Sequence, residues 1–171
     1  VSRGLGVVYK RQGQDSSIVK APQLQNHILE QTVLSEDTND ENVIRAVVKD
    51  LAEQIAVKLR KRQQVANKVK LEIHYTDGHQ RIRTGSIIRI DDRSVIEVCK
   101  GLFDKANERR NRVRAVLLDA SNFRPYINQE NLFSTKESRD MAVSKAVEKV
   151  RLKYGVRSLQ TADVFQALGR V

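Results

Sequence analysis

A chain of 171 residues is long enough for one domain of ordinary size with an additional segment, and 40% hydrophobic residues suffice for a core. With 5% aromatics and no Trp, that core must be mostly Val, Ile, Leu and Ala, and nothing approaches the run of ~20 apolar residues that a membrane span needs. The 31 basic and 21 acidic residues leave a formal charge of +10, which attracts polyanions, most commonly nucleic acid, unless it merely solubilises the chain.

The N-terminus, VSRGLGVVYKRQGQ, has no apolar core of the kind a signal peptide carries. It starts without Met, so the chain is expected to be a processed product or a cut from something longer. A single cysteine, Cys99, excludes an internal disulfide and fits a reducing compartment. Residues 1–24 read as a short helix or loop and then a linker ending at Pro22. NHILEQTVL (26–34) alternates loosely and is rich in β-branched residues, which predicts a strand. Thr38 and Glu41 have the spacing of a capping box, and Ile44, Val47, Val48, Leu51, Ile55 and Leu59 follow at three- and four-residue intervals. These predict an amphipathic helix, with KLRKR placing cations at its negative C-terminal end.

NKVKLEIHYTDGHQRIRTGSIIRI contains Asp77-Gly78, a strong hairpin signal. A two-residue turn would set Thr76 against His79 and pair Ile73 with Ile82, Leu71 with Thr84 and Val69 with Ser86. The opposite face would then carry Lys68, Lys70, Glu72, His74, Arg81, Arg83 and Arg89. A slip of one residue would bury those charges. Ser94 and Glu97 offer a second capping box, ahead of a stripe of Val95, Cys99, Leu102, Phe103 and Ala106. RRNRVRAVLLDASNF predicts a last strand, with Val113, Ala115 and Leu117 on one face and Arg112 and Arg114 on the other. Beyond Phe123, RPYINQENLF reads as an extended linker. Ser134 and Glu137 are positioned to cap a third helix with Val143, Ala146, Val147, Val150 and Tyr154 along one side and Gly155 as its stop. TADVFQAL predicts one more short helix.

The order strand, helix, strand, strand, helix, strand predicts an α+β fold: a four-stranded sheet in βαββαβ order, two helices on one face, and a C-terminal helical tail. Two helical stripes cover one sheet face and leave the other open, with the cations on it.

Catalytic patterns are lacking. His27, His74 and His79 have no cysteine pair to complete a zinc site. Asp91 and Asp92 precede a helix and suit N-capping better than metal binding. Cys99 lies on an apolar stripe, as a buried, inert thiol does. No GxSxG, Walker loop or post-strand GxGxxG occurs. The cationic open face fits phosphate contact, which gives affinity and position with little sequence information. An RNA-recognition fold shares the order of elements, but it stacks bases on aromatics that the outward positions of the central hairpin do not supply.

TVLSEDTNDENVIRAVVKDLAEQIAVKLRKR, KVKLEIHYTDG and GLFDKANERRNRVRAVLLDASNF, in that order and spacing, resemble the little-finger domain of Y-family translesion DNA polymerases, the DinB and UmuC group, also labelled ImpB/MucB/SamB. The resemblance covers most of residues 25–123. GVVYKRQGQDSSIV (6–19) is similar to the end of the thumb, and 134–171 resembles the short tail of UmuC-like members. Gln129-Glu130-Asn131-Leu132-Phe133 is similar to the Q-x-x-L-F peptide by which such polymerases bind the sliding clamp. An extended tether there would present two apolar side chains and a polar Gln to a preformed site.

The resemblance implies a division into a thumb end and linker (1–24), a DNA-binding little finger (25–123), a linker with the clamp peptide (124–134) and a helical tail (135–171). It implies duplex and primer-template DNA, the sliding clamp, and the parent's palm, fingers and thumb as partners, with no membrane, in the cytoplasm of a bacterium and near its nucleoid. Lys68, Lys70, Arg81, Arg83, Arg89, Arg112 and Arg114 are the expected phosphate contacts. Gln129, Leu132 and Phe133 are the expected clamp contacts. No catalytic or metal-binding residue and no cofactor is expected in this segment; the parent would use Mg in its palm. Two other readings stay open: a clamp-tethering module of a catalytically inactive polymerase-like protein, and an RNA-binding ferredoxin-like domain.

Overall fold

The computed structural model describes residues 26–127, 135–155 and 158–168. The elements are β1 (His27–Thr38), α1 (Glu41–Arg62), β2 (Gln64–Tyr75), β3 (Gln80–Ile87), α2 (Asp92–Ala106), β4 (Val113–Pro125), α3 (Thr135–Tyr154) and α4 (Ala162–Leu168). One antiparallel sheet holds the four strands in the order β1-β4-β2-β3, so β2 and β4 are central and β1 and β3 are edges. This is the expected α+β, βαββαβ fold with a helical tail. The first 25 residues and the clamp-like peptide at 129–133 lie outside the described residues.

The helices form where their stripes dictate. On α1, Ile44, Val47, Val48, Leu51, Ile55 and Leu59 are all buried against the sheet and α2. Each such side chain stabilises the fold by on the order of 1.5–3 kcal/mol. On α2, Val95, Cys99, Leu102, Phe103 and Ala106 are buried. The caps differ from the capping boxes read in the sequence. Asp40, not Thr38, caps α1, its carboxylate accepting from the Asn42 amide at 2.9 Å while Thr38 Oγ1 accepts from the Asp40 amide. Asp91, not Ser94, caps α2 by accepting from the Ser94 amide at 3.0 Å. A carboxylate at this position also meets the positive end of the helix dipole, which a hydroxyl does not exploit. Gln63, in the left-handed region at φ 51°, ends α1 and passes the chain straight into β2.

The hairpin departs from the expected register by one residue. Ile73 pairs with Arg81, Leu71 with Arg83 and Val69 with Gly85. The loop has three residues, Thr76-Asp77-Gly78, closed by Tyr75 N–H donating to the His79 carbonyl at 2.9 Å. Gly78 takes φ +80°, which only glycine adopts without strain. The Thr76 amide donates to the Arg112 carbonyl at 3.0 Å instead of across the hairpin. Gly85 completes the reason: a Cβ there would stand 3.2 Å from Leu102 Cδ2, so α2 rests directly on its backbone.

The long C-terminal helix also departs from its expected orientation. Ser144, Glu148 and Arg151 face the body of the domain, where Ser144 Oγ accepts from the Asp92 amide, Glu148 accepts from Arg60, and Arg151 donates to Glu53. The expected apolar side is turned largely outward: Val143 is 56% and Tyr154 66% exposed, and Val150 is exposed too. Specific polar pairs at partly buried positions fix the docking face more strongly than a stripe of small apolar residues does. Gly155, at φ +97°, ends the helix as expected. Helix α4 docks on α1 through buried Val164 and an Asp163–Lys49 pair at 2.8 Å.

Candidate nucleic-acid interface

The sheet has one roofed and one open face. Val69, Leu71, Ile73, Val116, Leu118, Ala120 and Ile28 point to the helices. Alternation along the paired strands then sends His27, Leu29, Gln31 and Val33 of β1, Ala115, Leu117, Asp119 and Ser121 of β4, and Lys68, Lys70, Glu72 and His74 of β2 to the open side. On β3, Gln80, Ile82 and Thr84 join them. The open face is therefore not the cationic surface read from the sequence. Its two lysines, Lys68 and Lys70, are matched by two carboxylates, Glu72 and Asp119.

Glu72 lies between neighbours of its own strand, 3.0 Å from Lys70 and 2.6 Å from His74. Partial burial works against its ionisation, but the hydrogen bonds and charges of Lys70 and His74 outweigh it and hold the carboxyl below its ordinary range. Lys70 thus has a local counter-charge, and Lys68 is the exposed cation of this face.

The one-residue shift puts Arg81 and Arg83 on the helix side of the edge strand, opposite Ile73 and Leu71. They are not buried, because β3 is an edge and their guanidinium groups reach its rim. Arg83 Nε donates to the Lys105 carbonyl at the end of α2, and its Nη2 to Glu108 at 2.6 Å. Arg81 lies 3.8 Å from the same carboxylate. Arg89 is beyond β3, where it donates to the capping carboxylate of Asp91 at 3.0 Å. Burial opposes ionisation of Asp91, yet the bonds from Ser94 and the charge of Arg89 keep its carboxyl low. Arg112 and Arg114 are exposed, the first just ahead of β4 and the second where β4 shifts register between Val113 and Ala115. The faces of β4 also differ from expectation, since Val116 and Leu118 point inward and Ala115 and Leu117 outward.

What the structure brings together is a rim, not a face. The hairpin tip and the loop from Asn107 to Arg112 meet: Arg109, its guanidinium over the Tyr75 ring at 5.8 Å from the centroid, donates to Asp77 at 2.9 Å, and Asn111 donates to the same carboxylate at 2.6 Å. Slight desolvation opposes the ionised form of Asp77, but the His79 amide, Asn111 and Arg109 hold its carboxyl low. Arg81, Arg83, Arg109, Arg110, Arg112 and Arg114 therefore share one end of the domain with the carboxylates of Asp77, Glu108 and, beside the Asn107–Arg112 loop, Glu41. Arg109 and Arg110 were missed as site residues in the sequence, although the run RRNR between a helix and a strand is a visible signal.

An antiparallel four-stranded layer with two helices on one side is the architecture of the little finger of Y-family DNA polymerases. The chain belongs to the impB/mucB/samB family, whose C-terminal domain matches residues 25–132. It is similar to the Bacillus subtilis (strain 168) protein UvrX, named for UV-damage repair, at 25% identity over 174 residues, covering 97% of this chain and 42% of UvrX. The chain thus spans about two fifths of that relative's length. Among solved structures, a Y-family DNA polymerase chimera of Dbh and Dpo4 superposes with a TM-score of 0.50 at 17% identity, covering 71% of this chain and 35% of the polymerase. A complex of the β-clamp processivity factor with the little finger domain of PolIV gives 0.48 at 15% identity, covering 63% of this chain and 98% of that chain.

Proposed function

We propose that this domain holds duplex DNA for a Y-family translesion polymerase, contacting backbone phosphates near the primer terminus, and that residues 129–133 tether the parent to the sliding clamp. The observation that carries the DNA reading is the convergence of Arg81, Arg83, Arg109, Arg110, Arg112 and Arg114 around the hairpin tip. Guanidinium groups on a rim match the curved, repeating charge of a duplex, and Lys68 extends the set onto the adjoining sheet face. Arg89, committed to the α2 cap, leaves the set. On this reading the chain supplies binding, while nucleotide transfer and its Mg belong to a palm of the parent. The residues of the open face named above include no Phe, Tyr or Trp, and His74 is engaged by Glu72 at 2.6 Å, which favours duplex DNA over base-stacked RNA.

The test is affinity for a labelled primer-template as a function of salt. Each phosphate neutralised contributes roughly −0.9 to the slope of log K against log salt. Arg109→Ala with Arg110→Ala should flatten the slope by one to two such increments and weaken binding equally for unrelated sequences. A salt-insensitive complex, or preference for single-stranded RNA, would overturn the proposal.

A further inference from the structure

Arg83 is positioned by its own scaffold. Its Nε donates to the Lys105 carbonyl at 3.0 Å and its Nη1 to the Ile82 carbonyl at 3.2 Å, which fixes the guanidinium plane. Its remaining nitrogen, Nη2, donates to Glu108 Oε1 at 2.6 Å, and the other carboxylate oxygen lies 3.8 Å from Arg81 Nη2. One carboxylate thus presents its two oxygens to two guanidinium groups, as the two non-bridging oxygens of a phosphodiester would. Glu108 is half exposed, on the loop between α2 and β4. It also lines a recess of about 270 Å³ with Arg109, Arg110, Asn111, Asn39 and the carboxylate of Glu41. A carboxylate leaving Arg83 therefore stays near the guanidinium groups of Arg109, which is shared with Asp77, and Arg110, in a recess that Glu41 also lines.

We infer that Glu108 is a resident counter-anion at a phosphate site on Arg83 and Arg81, expelled when a DNA phosphodiester takes its place. This rests on the DNA-holding function proposed above. An exposed ion pair of this kind is weak enough to be exchanged. It nevertheless neutralises Arg83 until an anion able to bridge both guanidinium groups arrives. The site thereby ignores weak monovalent anions and answers to a phosphate backbone that is also held by Arg109, Arg110 and Arg112. Because Glu108 must be displaced, Arg83 releases little counterion in the wild-type protein, and the measured salt slope understates the number of phosphates touched.

The experiment is a salt titration of primer-template binding by the chain carrying Glu108→Gln. Affinity should rise roughly two- to fivefold, the range of an exposed ion pair, and the salt slope should steepen by up to about one. Glu97→Gln removes the same charge from α2, where Glu97 pairs with Arg93 at 3.2 Å, and should change affinity much less. With Arg81→Ala and Arg83→Ala in place, Glu108→Gln should have no further effect. Equal gains from Glu97→Gln and Glu108→Gln, or a salt-sensitive complex that Glu108→Gln leaves unchanged or weakened, would overturn this inference alone. Absence of any salt-sensitive DNA complex in the wild-type chain would overturn the DNA-holding function with it.

Discussion

Arg60 Nε on α1 donates to Glu148 Oε2 on α3 at 3.0 Å, through side chains only 5% and 16% exposed. The same guanidinium donates from Nη1 to the Ile90 carbonyl at 2.9 Å and to Asp92 Oδ1 at 2.5 Å. One buried cation thus joins the end of α1, the start of α2 and the middle of α3. Removing one partner of such a set leaves uncompensated buried charge, so Arg60→Ala should cost about 3–5 kcal/mol in urea unfolding. Glu148→Ala should release α3 while α1, α2 and the sheet keep their hydrogen-exchange protection. Unfolding of Arg60→Ala within about 0.5 kcal/mol of the wild type would show that the arginine does not brace these elements.

The Cys99 thiol is fully buried on α2, and burial pushes its pKa up to about 12. Almost no thiolate is present at pH 8, and the reactive species is the thiolate. A disulfide reagent should therefore label the native protein only at the rate of its opening, and label it quickly in urea. Rapid labelling of the native protein at pH 8 would mean that the seam between α2 and the sheet is not closed.

Burial opposes ionisation of Asp163, but its hydrogen bonds with Lys49, Thr161 and the Val164 amide bring the carboxyl down to about 2 from an ordinary 3.8. A depressed folded value means that the stabilisation is present above 3.8 and is lost as pH falls through about 2. Asp163 is half exposed, so the gain is a fraction of a kcal/mol to about 1 kcal/mol. Protection of the Val164 amide should decline between those two pH values, and Lys49→Met should weaken the dependence. A pH-independent α4 would refute the role of the pair.

Leu132→Ala with Phe133→Ala should abolish binding to a sliding clamp immobilised on a sensor surface, because the two side chains supply the apolar part of the proposed tether. The slope of DNA binding against salt should not change. Retained clamp affinity would rule out the peptide assignment.

The architecture was legible because the stripes of α1 and α2 and the order of elements are local signals. Every residue of those two stripes is buried. The caps were misread by a few residues, since Thr38 and Asp40, like Ser94 and Asp91, both offer suitable oxygens and only the path of the chain chooses between them. The hairpin register was not legible. It depends on the Thr76 amide bonding to Arg112, 36 residues further on, and on Leu102 lying against Gly85. The cationic face failed with it, because the placement of Arg81 and Arg83 followed entirely from that register. The outward turn of Val143, Val150 and Tyr154 escaped notice for a related reason: the partners of Ser144, Glu148 and Arg151 all belong to other elements.

The three-residue loop at Thr76–Gly78 acts as a phase setter for an edge held by hydrogen bonds to β2 alone. Deleting one codon there would rotate β3 by half a pleat. It would send Arg81 and Arg83 to the uncovered side and swing Ile82 and Thr84 beneath α2. Loop length, more than the kinds of residue in the strand, decides on which side of the sheet Arg81 and Arg83 stand. A length difference at this turn among related chains would relocate a charged surface without altering a single arginine.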